Sequence, residues 1–196
     1  HLDHSADVNV IIEAMTEGGL KKRGVLFAPR DALEDDPVVL KYLRGFVDGI
    51  EVVEEGGRYR VGECWFSTPI RHHHSVETYG LTFHLPEGNV SFVTDTAYFP
   101  CLGSAYRSDV LIVNVVLVHP HPNPAVQHLC LEEAARLIQE VGPRAAVLTH
   151  FGMGMIRGKP WQLASAVSEQ TGVKVIAARD GMTLVECRLH TGRTQQ

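Results

Sequence analysis

The sequence predicts an α/β fold in which sheet layers are flanked by helices, and three observations predict it. The first half alternates short apolar runs with tight turns. The second half alternates strand-length apolar runs with helically spaced ones, the pattern of βαβ units. The strongest apolar run, LIVNVVLV (111–118), is rich in β-branched residues and far too short to span a bilayer, so it reads as a buried strand. With no internal repeat, low-complexity tract or linker, residues 1–196 are expected to form one domain.

Each element follows from local spacing. Val8, Ile11, Ile12 and Met15 give residues 6–17 a helical period, and Gly18-Gly19 ends it. GVLFAP (24–29) reads as a short strand closed by Pro29, and residues 31–46 as helical in part, starting near Asp36-Pro37. IEVVEEGGRYRVG is expected to be a hairpin about Gly56-Gly57, with ECWFSTPI as the next strand. YGLTFHLPEGNVSFVTD reads as a second hairpin about residues 86–89, ending at Asp95. Then come a strand at 109–116, a helix at 131–140, a strand at 144–149, a helix at 160–170, and strands at 173–177 and 182–187.

Composition narrows the function classes. The hydrophobic fraction of 44% and charged fraction of 21% are those of an ordinary globular chain. A net charge of −5 argues against a general nucleic-acid binder, which would present a basic face. Four widely spaced cysteines with no CxxC pair favour reduced thiols over a disulfide framework, and no signal peptide is visible, so a cytoplasmic location is expected. No membrane span is expected either. Eleven histidines in an acidic chain are the unusual feature, and they direct attention to metal ligands.

The ligand-type residues fall at strand ends and loop starts. His1, Asp3 and His4 precede the first helix, on a predicted loop; His74 follows the strand CWFSTPI; Asp95 follows SFVT; His150 ends AAVLTH. Taken singly, a histidine at a strand end is ordinarily a surface residue or a satisfied hydrogen-bonder, and Asp95 an ordinary turn residue. Taken together, such residues can converge on one rim of a sheet, where imidazole and carboxylate suit Zn, Fe or Mn.

As a set, these segments resemble the metallo-β-lactamase superfamily. Its signature is a His-x-His-x-Asp-His loop, then a lone His, an Asp in a strand-end turn, and a final His after a strand. His1-Leu2-Asp3-His4 matches the last four positions of the first motif, whose first His this chain does not contain. His74 in HSVETYG resembles the second-motif ligand of the ribonuclease Z branch. Asp95 in FVTDT resembles the bridging Asp of the Gly-Asp-Thr motif, with Val93-Thr94 in place of the usual small residue and Gly, and His150 in LTHFG matches the terminal ligand. The resemblance implies an αβ/βα sandwich that lacks its first strands, because the chain begins inside the metal motif.

The resemblance also implies roles. One divalent ion would be held by the absent His, His1, His74 and Asp95, the other by Asp3, His4, Asp95 and His150. Zn is the expected metal, with Mn and Fe as alternatives. Water activated between the two ions would be the nucleophile, and Asp3 would orient or deprotonate it. His128, in QHLCLEEAARLI, matches the place where phosphodiesterases of the ribonuclease Z type carry a His that assists the leaving group. His72 and His73 flank His74 and are alternative ligands, but the HxxxxYG match favours His74. His119 and His121 read as a solvated proline-rich loop, His84 and His190 as strand-surface residues, and Arg157 and Lys159 as candidate contacts for an anionic substrate.

The implied function is a metal-dependent hydrolase acting on a small phosphodiester or related ester. Between His74 and Asp95 there is room only for a tight hairpin, not for the tRNA-gripping arm of ribonuclease Z, so tRNA is not an expected partner. β-Lactamase activity is not indicated, since Asp3 and Asp95 mark the branches with two carboxylates. A flavodiiron-type redox centre is disfavoured by Leu2-Asp3, where that branch has Glu. The alternative is a catalytically impaired protein of this fold that binds a ligand. A homodimer that pairs an exposed sheet edge is also expected.

Overall fold

A computed structural model of the chain describes residues 1–184. Two sheets face one another. The larger has seven strands in the order β3 (Gly57–Val61), β4 (Cys64–Thr68), β5 (Leu81–Leu85), β6 (Gly88–Val93), β7 (Val110–Asn114), β8 (Ala145–Thr149), β9 (Lys174–Ala177). Pairing is antiparallel from β3 to β6 and parallel from β6 to β9. The smaller sheet is a parallel pair, β1 (Val25–Ala28) with β2 (Gly49–Val52).

Alternation along the strands sorts the layers. In register, Phe66, Phe83 and Val90 share one face of the large sheet, and Ser91, Leu111, Ala146 and Val175 share the other. Phe27 of β1 meets the first face edge-on, with its ring 5.1 Å from Phe66 and 5.7 Å from Tyr59. Its neighbours Leu26 and, on β2, Ile50 point the other way. They pack with Ile12 of α2 (Val8–Met15), Val39, Leu43 and Val47 in a small core. The second face of the large sheet carries the main core, where Leu111, Val113 and Leu148 pack with Leu137 and Ile138 of α4 (Leu131–Val141) and Ala164 and Val167 of α6 (Pro160–Thr171). The order is helix, sheet, sheet, helix, as the αβ/βα expectation requires.

Local chemistry explains the helix limits. At the start of α4 the Cys130 N–H donates to the Glu133 carboxylate at 2.9 Å, closing a capping box, and Gly142 ends the helix at φ +62°. Proline opens α6 and Gly172 closes it at φ +71°. The four-residue run Ala145 to Leu148 is buried throughout, as a strand covered on both faces must be.

Three sequence expectations need correction. Residues 50–62 are not a hairpin: β2 pairs with β1, while β3 turns at Gly62-Glu63 to pair with β4. Gly56, at φ +72°, marks the crossing from one sheet to the other rather than a turn between partners. Residues 31–46 form only 3₁₀ turns at Arg30–Ala32 and Lys41–Gly45, short local structure compatible with Pro37 in mid-segment. Asp3 and His4 are not on a loop, since Leu2–Ser5 is a helical turn, α1, preceded by His1. The expected strand 182–187 falls largely outside the described residues, as do Cys187 and His190. Among the described residues no helix is long and apolar enough to cross a membrane.

Candidate metal centre

The C-terminal ends of three neighbouring parallel strands set the site. Asp95 stands two residues past β6, Asn114 is the last residue of β7, and His150 follows β8 directly. Ligands gather beyond the carboxyl ends of parallel strands because the loops there are free of pairing duties. His150 makes the turn by entering the left-handed region, at φ +57°. A histidine there costs of order 1 kcal/mol or more, and such strain persists where surrounding structure demands the conformation.

The short helix α1 brings two more groups to the same point. His4 Nε2 lies 3.0 Å from Asp95 Oδ2 and 3.7 Å from Asp3 Oδ2. His150 Nε2 lies 3.3 Å from Asp3 Oδ2, and its Nδ1 lies 4.0 Å from Asp95 Oδ1. The His4 and His150 rings stack in parallel, with centroids 4.7 Å apart and planes 3° from one another. Asp3, His4, Asp95 and His150 each offer a ligand atom, and all four lie within 4.8 Å of one another.

These separations fit a divalent cation. Two ligands each about 2.1 Å from a tetrahedral ion stand about 3.4 Å apart, close to the 3.0 Å of His4–Asp95 and the 3.3 Å of His150–Asp3, with the whole set inside 4.8 Å. Two imidazoles and two carboxylates are also a donor set suited to Zn, Mn or Fe.

A second group of imidazoles adjoins the first. His74 Nε2 is 3.2 Å from His1 Nδ1, while His74 Nδ1 is 3.0 Å from the Gln127 carbonyl, the arrangement in which Nδ1–H donates. That bond leaves Nε2 as the ring's lone-pair donor, the tautomer a metal ligand needs. The His74 ring centre is 5.2 Å from that of His128, and His128 Nδ1 lies 3.6 Å from Asp95 Oδ2. This His128 nitrogen is buried and has no hydrogen-bond partner among the described residues. A buried polar nitrogen left unpaired costs stability, so its retention points to use.

Electrostatics favour an ionised Asp95. Burial pushes its carboxyl up, but the Asn114 hydrogen bond and the His150 and His4 imidazoles outweigh it, holding the group below the usual carboxylate range. Asn114 Nδ2 donates to Asp95 Oδ1 at 2.9 Å. His128 shifts the opposite way for its type. Burial lowers its pKa and the His74 and His150 charges add to that, against a partial counter-effect of Asp95.

The first two histidines of the HHH run separate cleanly from the third. His72 is 2% exposed and bonded through Nε2 to the Tyr106 hydroxyl at 2.6 Å and through Nδ1 to Thr94 Oγ1 at 3.2 Å, so it faces away from the cluster. The His73 ring stacks on Phe99. His119 and His121 are exposed, and so are Arg157 and Lys159, whose side chains make no hydrogen bond or ion pair among the described residues. Asn114 and the Gln127 carbonyl escape sequence reasoning. Asn114 had one visible signal, as the lone polar residue in LIVNVVLV.

The family model for the beta-lactamase superfamily domain matches residues 1–151. An uncharacterized protein of Methanocaldococcus jannaschii is 29% identical over 192 residues, covering 93% of this chain and 70% of that protein. The metallo-beta-lactamase fold protein YhfI from Bacillus subtilis superposes with a TM-score of 0.74 at 18% identity, over 93% of this chain and 73% of its own. A diphosphatase of the PhnP family superposes with a TM-score of 0.65 at 19% identity, over 91% of this chain and 63% of its own. At these identities the two solved structures speak for the fold.

Proposed function

We infer the function from one premise: the chain belongs to the beta-lactamase superfamily. On that footing the protein is a metal-dependent hydrolase of small phosphodiesters, of the ribonuclease Z-like branch but without tRNA as a substrate. The observation that carries this reading is the convergence of Asp3, His4, Asp95 and His150 within 4.8 Å. The likeness to a diphosphatase supports a phosphoryl substrate.

Asp3, His4, Asp95 and His150 would hold one divalent ion, and His1, His74 and Asp95 would contribute to a second, Zn in the first instance. Bound there, the ions supply Lewis acidity toward phosphoryl oxygens and lower the pKa of water. The chain's own residues do the rest. Asp95, kept ionised by Asn114, would be the carboxylate that both ions share. Asp3, whose side chain is 58% exposed, reaches toward substrate and accepts a proton from the attacking water. His128 sits beside the cluster with an uncommitted nitrogen and delivers a proton to the departing alkoxide.

The test is metal content by mass spectrometry together with hydrolysis of bis(p-nitrophenyl) phosphate. About two equivalents of divalent metal and metal-dependent turnover are expected, and Asp95→Ala should lose both ions. A variant that keeps full occupancy refutes the assignment of Asp95. Metal uptake with no turnover on any phosphodiester points instead to a ligand-binding member of the same fold.

A further inference from the structure

The run His72-His73-His74 gives three consecutive imidazoles three environments, and the hydrolase reading uses only the third. His72 is buried and hydrogen-bonded, and His74 joins the metal centre. His73 is exposed, and its side chain makes no hydrogen bond among the described residues. An exposed histidine of this kind is normally free to turn. Here it is fixed at both ends. Its backbone N–H donates to Thr96 Oγ1 at 3.1 Å, and its carbonyl accepts from the Ala97 N–H at 2.9 Å. Its ring lies on Phe99 with centroids 4.0 Å apart and planes 20° from parallel. Phe99 is itself part of the main core, so the lower face of the imidazole rests on a rigid support.

A cleft of about 760 Å³ opens at this point, lined by Arg71, His73, His74, Phe99, Gln127 and Glu55, among others. That size suits a small organic ligand. His74 lines both this cleft and the neighbouring one that holds His1, His4 and Asp95, so the two adjoin at a candidate ligand. Arg71 contributes a guanidinium that forms no side-chain hydrogen bond or ion pair among the described residues, although its charge is felt at Glu77. A flat, pre-positioned ring with one face open, beside an uncommitted cation, is a seat for a planar aromatic group carrying negative charge.

We propose that His73, supported by Phe99, is the stacking shelf for the aromatic part of the substrate, with Arg71 beside it, so that the preferred substrates are phosphoesters bearing an aryl group or a nucleobase. This deepens the phosphodiesterase reading by naming the organic half of its substrate, and it rests on that reading for the position of the phosphoryl group. His73 is a specificity-determining residue here. It holds no metal and moves no proton.

The test measures binding on the intact protein with phenyl phosphate, adenosine 5′-monophosphate and methyl phosphate. Aromatic phosphates should bind about tenfold more tightly than methyl phosphate, the scale that one aromatic stack supplies. They should also move the His73 Hε1 resonance by ring current, which methyl phosphate cannot do. His73→Ala should bring the affinity ratio close to one, and His73→Phe should restore it. A preference shown by phenyl phosphate alone assigns aryl esters, and one shown by both assigns nucleoside esters as well. Equal affinities for all three probes, or an undiminished ratio in His73→Ala, overturn the shelf. Because the readout is binding, absence of hydrolysis would remove the enzymatic reading while leaving this result to stand or fall separately.

Discussion

His4 Nε2 lies 3.0 Å from Asp95 Oδ2, joining two residues 91 positions apart through the very atoms that would ligate a cation. The contact has two exclusive uses. With a proton on Nε2 the histidine donates to the carboxylate; with that proton gone, both atoms can face an ion. Asp95 is therefore never left as a bare buried charge, which would be strongly destabilising. Treatment with a chelator is expected to abolish hydrolysis while leaving the far-UV circular dichroism unchanged. Loss of secondary structure on chelation would show that the ion, not this hydrogen bond, holds the rim together.

Asn114 gives Asp95 its other fixed partner, at 2.9 Å. Groups that orient ligands without touching the ion typically cost about 10- to 100-fold in affinity or activity when removed. Asn114→Ala should weaken metal binding by that factor, measured by competition with a chromogenic chelator. Asn114→Asp should be worse, since it sets a second carboxylate against Asp95. Unchanged affinity in Asn114→Ala would mean that Asp95 is held by its ligand neighbours alone.

His128 carries a buried nitrogen without a hydrogen-bond partner among the described residues, 3.6 Å from Asp95. In the proposed role of proton donor to a leaving group it would be worth about 10²- to 10⁴-fold in kcat. His128→Ala should show that loss on alkyl phosphodiesters and a much smaller one on p-nitrophenyl esters, whose leaving group needs little protonation. Metal content should not change. Equal losses on both substrates would place His128 in binding rather than proton delivery.

His72 sets a pH dependence of stability. Thr94 Oγ1 already donates its proton to the Tyr79 carbonyl at 2.9 Å, so His72 donates from Nδ1 to Thr94, and the Tyr106 hydroxyl donates to Nε2. Burial disfavours a second ring proton, which would also turn the Tyr106 hydroxyl from donor to acceptor and cost its hydrogen this partner. The pKa falls from the usual 6.5 to about 4, with burial as the main cause and the neighbouring imidazoles adding to it against Asp95. The folded state thus binds fewer protons than the unfolded one between these values. Stability is full above pH 6.5 and declines as pH drops toward 4, by about 3 kcal/mol at most from this group. Urea midpoints measured on chelator-treated protein at pH 7 and pH 4.5 should show this decline, and His72→Gln should show less of it. An equal decline in the variant would assign the acid sensitivity elsewhere.

Much of the rim was legible because its residues sit where the pattern of strand and turn leaves little choice. Asp95 and His150 terminate recognisable strands, and the order of ligand types along the chain carried the remainder. Asn114 and Gln127 were not legible, since their contribution depends on which strands lie side by side and on a backbone carbonyl. The Gly56-Gly57 pair misled for a related reason. A glycine turn looks the same whether the strands it joins pair with each other or part into different layers, and only long-range pairing decides. The HHH run shows the same limit at smaller scale: identical neighbours acquire separate tasks from Tyr106, Phe99 and Gln127, none of which is near in sequence.

The parallel strands β6, β7 and β8 release Asp95, Asn114 and His150 along one lip of the sheet, whereas the buried side chains that hold those strands lie beneath. Anchorage and reactivity thus draw on different residues. The exposed stretch 119–125, outside the core, can diverge at little expense to the framework. A single skeleton of this kind can therefore be refitted to new chemistry by exchanging its outer trim.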